Sequence, residues 1–302
     1  MDKMNDIKHN LDNFVVYLQV EKQVSRSTIS YYRSDIERFV AFAQEQGEGD
    51  VLLCNVTQML IRSYLSAMHR QKYSHATMNR SLAALRAFFR FLCKRNIIAD
   101  NPCVTMHSLK NQQTIAVLTE AEIDGLLRLP DQSDLGRRDL AVLELLYATG
   151  IRARELVGLL LADLDCFTGC AVISDSEGRK RVVPIGNSAI AALEQYVRHS
   201  RPRLYEKYTG TPHDYAFVNS KGSPLTDRSI RRILTNYIQM LALEQSVNPT
   251  TIRQTFAVHM LNNGADACSV QEILGQMNLS QILPSISKER VRSVYKSAHP
   301  RA

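Results

Sequence analysis

Four cations recur between positions 80 and 94: Arg80, Arg86, Arg90 and Lys94. They fall at positions that share a polar helix face, beside Thr77 and Asn79. Guanidinium groups bond phosphates and guanine edges in a bidentate way, so such a face suits a DNA groove. The same spacing also describes an ordinary solvated face on a helical bundle, and the residues alone leave both readings open. The net charge of +7 points to a polyanionic partner such as nucleic acid. A second chemistry to weigh is sulfur. The six cysteines (Cys54, Cys93, Cys103, Cys166, Cys170, Cys268) contain no CxxC pair. Cys166 and Cys170 have no second pair at zinc spacing, so reduced thiols and no metal are expected.

The elements that must carry these residues can be traced along the chain. Ile7, Leu11, Phe14, Val15 and Leu18 recur at helical spacing, as do Ile29, Tyr32, Ile36, Phe39 and Val40 after a start signal at Ser25 to Thr28. Thr57 predicts the cap of a third helix bearing Leu60, Ile61, Tyr64, Leu65 and Met68. Ser74 predicts the cap of the fourth, basic helix, and Asn101-Pro102 is expected to end helical structure. Residues 1–104 therefore read as an all-helical domain and 105–117, polar and aperiodic, as a linker. A capping box at Thr119 to Glu122 opens a second domain over 118–302. There Ala171 to Ile173 and Arg181 to Ile185 flank a polar turn, which predicts a β-hairpin. The rest is expected to be helical apart from a brief strand-like Tyr215 to Val218. Apolar residues make up 45% and charged residues 22%, as in ordinary globular proteins. No apolar run approaches the ~20 residues of a membrane span and the N-terminus is polar, so a cytoplasmic protein without membrane contact is expected.

Specific motifs then appear. The stretch YATGIRARELVGL (Tyr147 to Leu159) resembles the first arginine box of tyrosine recombinases. TTIRQTFAVHMLNNGAD (Thr250 to Asp266) resembles their second arginine box, VQEILG (Val270 to Gly275) continues it, and SVYKSAHPRA (Ser293 to Ala302) resembles the C-termini of Xer-type members. STISYYRSDIERFVAF (Ser27 to Phe42) and the run from Thr77 to Pro102 fit the N-terminal portion. The resemblance implies a mainly α chain with a small β-sheet in the second domain. It further implies a C-shaped clamp in which a helical core-binding domain and an α+β catalytic-type domain grip duplex DNA. It also lifts the basic helix toward DNA contact.

In that family a phosphodiester passes from a sugar oxygen to a tyrosine oxygen and back. Two arginines clamp the phosphate, a hairpin lysine protonates the leaving oxygen, and histidines assist. The resemblance assigns the clamp to Arg152, with Glu155 three residues on, and to Arg253. Other positions depart from the pattern: Ser176 for the lysine, Thr250 and Gln276 for the histidines, and Leu283 nearest the nucleophile, in a segment about two residues short. Lys180 on the return side of the hairpin and Tyr295 in the tail are the remaining candidates for acid and nucleophile. His259 and His299 read as structural.

These departures lead to the expectation of a DNA-binding homologue that holds a specific site without cleaving it, as an architectural or regulatory partner in recombination. The alternative is an active recombinase or integrase using Tyr295 or a nucleophile supplied by a partner subunit. A scaffold that has abandoned DNA is the third reading. No cofactor is implied. The tail, Lys288 to Ala302, is expected to support homo-oligomers, or hetero-oligomers with an active recombinase. A nucleoid-associated location follows from DNA binding.

Overall fold

The computed structural model describes residues 7–46, 53–109, 116–243 and 247–275. The chain divides into two compact units, residues 1–113 and 114–302.

The first unit is helical. It contains α1 (Ile7–Val20), α2 (Arg26–Gln46), α3 (Gln58–Arg70) and α4 (His75–Lys94), with a 3₁₀ turn at Leu53–Asn55. The expected starts are present. Ser25 Oγ accepts from the Thr28 amide, Thr57 from Leu60, and Ser74 from Thr77, each meeting a donor that a first turn leaves open. The apolar stripes meet in an aromatic core. Phe14 lies edge-on to Phe88 at 5.4 Å, and Phe39 edge-on to Tyr64 at 5.3 Å. The fourth helix stops earlier than Asn101. Arg95 caps it, and Asn96 turns the chain at φ 55°, a left-handed conformation that asparagine tolerates better than most residues. The chain then returns along α4. Asn101 donates to the Arg86 carbonyl, Arg86 to the Met106 carbonyl, and Cys103 and Met106 are buried in the first unit's core.

The second unit is helical around a small sheet. It comprises α5 (Glu120–Arg128), α6 (Asp134–Thr149), α7 (Ala153–Gly158), β1 (Leu164–Asp165), β2 (Cys170–Ser174) and β3 (Lys180–Pro184). Then follow α8 (Asn187–Gln195), α9 (Arg201–Tyr205), α10 (Asp227–Met240), α11 (Pro249–Asn262) and α12 (Ala267–Leu274). The capping box at Thr119 and Glu122 is made in both directions. The predicted hairpin forms, with Val172 opposite Val182, and a third strand, β1, extends it to the order β1-β2-β3. Two residues are too few to show a period in sequence, so β1 has no signal there. Among the described residues Tyr215 to Val218 makes only isolated bridges, Leu160 to Tyr215 and Val218 to Pro224. The core centres on α6, whose Ala141, Val142 and Leu145 are fully buried against α8 and α11. Among the described residues no helix is long and apolar enough to cross a membrane.

Candidate active site

Helix α6 ends at Gly150, which caps it at φ 58°. A side chain there meets both the left-handed penalty and neighbours: an added Cβ lies 2.6 Å from Leu274 Cδ2 and from Phe256 Cδ1. Gly150→Ala is expected to cost ~1–2 kcal/mol from backbone conformation alone. Crowding adds to this, and the loss is measurable as a lower thermal midpoint. The tight turn matters because Ile151 anchors in the core and Arg152 follows as the first residue of the site.

Arg152 precedes α7, and its backbone amide donates to Glu155 Oε2 at 2.7 Å while its Nη1 donates to Oε1 at 2.9 Å. Glu155 also receives Arg181 from β3, Nη1 to Oε1 at 2.9 Å and Nη2 to Oε2 at 2.8 Å. Burial drives the Glu155 pKa upward, but the hydrogen bonds from Arg181 and from the Arg152 backbone outweigh it and leave the carboxyl below its ordinary value.

Arg253 comes from α11, a helix buried on most sides, started by Asn248 and Pro249. Its guanidinium is buried and donates to two carbonyls, Gly150 and Leu274, each at 2.6 Å. Burial, and then the nearby Arg152 charge, lower its pKa from 12.5 to about 10. It remains a cation at neutral pH, held at an electrostatic cost that an entering anion relieves.

The end of α12 ties the three arginines together. Arg181 Nε donates to Ile273 O at 2.8 Å, Arg253 Nη2 to Leu274 O at 2.6 Å, and Arg152 Nη2 to Gly275 O at 3.0 Å. Three consecutive carbonyls at a helix C-terminus thus hold three cations where the helix dipole favours them. Among the described residues Glu155 is the one carboxylate bonded to this cluster, to Arg152 and Arg181, so the three guanidinium groups carry positive charge in excess. Such a cluster can bind a phosphate and stabilise charge building on its oxygens.

The structure brings Arg152, Arg181, Lys180 and Ser176 to one cleft of about 790 Å³. Lys180 is exposed there, without an ion pair among the described residues. Ser176 sits in the hairpin turn, which Asp175 pins by accepting from the Glu177 and Arg179 amides. Thr250 is exposed in the first turn of α11 and is not among the residues lining that cleft. Tyr147 Oη and His259 Nδ1 are hydrogen-bonded at 2.9 Å. Gln276, Leu283, Tyr295 and His299 lie outside the described residues.

Much of the basic face on α4 is engaged within the first unit. Arg80 grips the fully buried Asp35 with bonds of 2.7 and 3.1 Å and lies over the Tyr31 ring. Asn79 both donates to and accepts from the Leu109 backbone, Arg86 holds Met106 O, and Thr77 bonds Ser74. Lys94 pairs with Glu21 at 3.6 Å. Arg90 is exposed with no ion pair among the described residues.

Sequence reasoning missed Arg181. The available signal was strand alternation, which places it on the inward face with the buried Val183, where an unpartnered charge is costly. The carbonyls of residues 273–275 carry no sequence signal at all.

Comparison with known proteins shows the family. Residues 116–283 match the phage integrase family, and residues 11–96 match the phage integrase N-terminal SAM-like domain. The chain belongs to the phage integrase family, the tyrosine recombinases, and is Xer-like. A protein named tyrosine recombinase XerC from Oceanobacillus iheyensis is 39% identical, covering 99% of this chain and 98% of its own. One so named from Bacillus subtilis is 38% identical, covering 99% of both. The fold is shared with a Tn1549 transposon integrase in complex with a circular intermediate DNA (TM-score 0.77, 18% identity, 95% of this chain and 99% of that one). It is shared too with an XerH recombinase bound to a palindromic difH substrate (TM-score 0.72, 22% identity, 89% and 79%).

These relatives overturn one expectation. The reading of a non-cleaving homologue, an enzyme fold without enzyme activity, rested on departures at Ser176, Thr250, Gln276 and Leu283. Matches of 38% and 39% over essentially the full chain to proteins named as recombinases favour the active alternative instead.

Proposed function

We propose that this protein is an active site-specific DNA recombinase that acts on duplex DNA in the cytoplasm. The observation that carries the proposal is the arginine cluster: Arg152 and Arg253, from separate boxes, are fixed on the adjacent carbonyls of Gly275 and Leu274 at the end of α12. In this reading they clamp the scissile phosphate, Lys180 protonates the leaving oxygen, and Tyr295 is the nucleophile that forms the covalent phosphotyrosine. Ser176 and Thr250 stand at positions where other members use proton-moving groups. The helical segment 1–104 binds DNA, with Thr77, Asn79, Arg80, Arg86, Arg90 and Lys94 on the helix nearest the duplex. Residues 105–117 link it to the recombinase segment 118–302, whose tail joins protomers or a partner recombinase. The full-length relatives named as recombinases support the activity, and solved neighbours described as bound to DNA support the ligand.

The test is to recover duplexes that the purified protein selects from fragmented DNA of its source, nick them to trap cleavage, and run denaturing gels. A protein–DNA species that survives denaturation in the native protein and vanishes in Tyr295→Phe is the expected result. A species that persists in Tyr295→Phe moves the nucleophile to another residue of this chain. No such species under any assembly condition overturns the proposal.

A further inference from the structure

We propose that Arg181 is a positioning residue for strand transfer: by holding both carboxylate oxygens of Glu155, it keeps Arg152 free to face a phosphate. This rests on the recombinase reading above for its catalytic consequence, but its structural claim stands on contacts within the site.

Glu155 is the shared partner. Its side chain is 4% exposed, against 15% for Arg181 and 44% for Arg152. The two arginines therefore have unequal parts. Arg181 is sunk against Glu155 with two bonds and anchored by a third to Ile273 O. Arg152 gives Glu155 one side-chain bond and keeps much of its guanidinium on the cleft. A buried carboxylate must be fully partnered. With Arg181 removed, both oxygens of Glu155 turn to the nearest remaining cation, Arg152, which can meet them with a bidentate fork. Arg152 then withdraws from the cleft. Arg181 also precedes Val182 on β3, so its anchorage to α7 and α12 fixes the strand that presents Lys180. A lysine at 181 supplies charge but not the planar fork that spans both oxygens and a carbonyl.

The test uses the full-length protein with Arg181→Met and Arg181→Lys. Labelling of Arg152 by phenylglyoxal, read from its peptide by mass spectrometry, should slow severalfold in Arg181→Met and less in Arg181→Lys. General loosening of the fold would speed it instead. On nicked duplex the single-turnover cleavage rate should fall roughly 10²-fold, the loss that a displaced reacting group commonly brings, while DNA affinity is retained. Unchanged or faster Arg152 labelling in the folded variants overturns the proposal. If Arg181→Met does not fold, Arg181→Lys alone decides by the same sign. Absence of cleavage by the native protein sinks the recombinase reading, and the labelling result still decides the role of Arg181.

Discussion

Replacing Arg253 with alanine is expected to lower cleavage by about 10²–10³-fold, the loss seen when one buried donor to a developing oxyanion is removed. Burial, and then the neighbouring Arg152 charge, pull the guanidinium pKa down to about 10, and among the described residues no carboxylate hydrogen-bonds it. Its positive charge is therefore only partly offset, by the nearby Glu155, until an anion arrives. Stability should change less than the chemistry does. Each orphaned carbonyl, Gly150 and Leu274, costs about 1–3 kcal/mol. Removing a cation held against its burial cost offsets part of that. Single-turnover cleavage and urea unfolding of Arg253→Ala check both halves. A variant that cleaves at the native rate would remove Arg253 from the clamp.

Replacing Glu155 with alanine should produce the largest stability loss in the site, about 3–5 kcal/mol, as expected when one partner of a buried ion pair is deleted. Arg181 loses both of its strong acceptors, and three like charges are left together around the end of α12. The same carboxyl makes a pH prediction. Its folded pKa is depressed, so the folded state binds the proton less readily than the unfolded chain does. The stabilisation is fully present above its ordinary value of 4.5 and is lost as pH falls through the lower folded value. Urea unfolding of the native protein and of Glu155→Gln should therefore diverge most at neutral pH and converge in acid. Parallel curves down to acid pH would show that Glu155 carries no such linkage.

The sequence by itself determined the helices of the first unit, their caps at Ser25, Thr57 and Ser74, the Thr119–Glu122 capping box and the β2–β3 hairpin. Each is a local event, set by apolar periodicity or by one side chain reaching an amide three residues away. Family motifs in the sequence also singled out Arg152 and Arg253. Departures within the same motifs led to the wrong functional class, because a lost residue type shows what is missing at one position and nothing about what has been brought near it. Only the tertiary structure decided that Arg181 completes the site and that most of the α4 cations are held by Asp35, Met106 and Glu21. The same is true of the convergence of Arg152, Arg181 and Arg253 on the carbonyls of residues 273–275. Backbone carbonyls are the same in every sequence. Which of them a guanidinium meets depends on how α7, β3, α11 and α12 pack, and packing joins residues as far apart in the chain as Arg152 and Gly275.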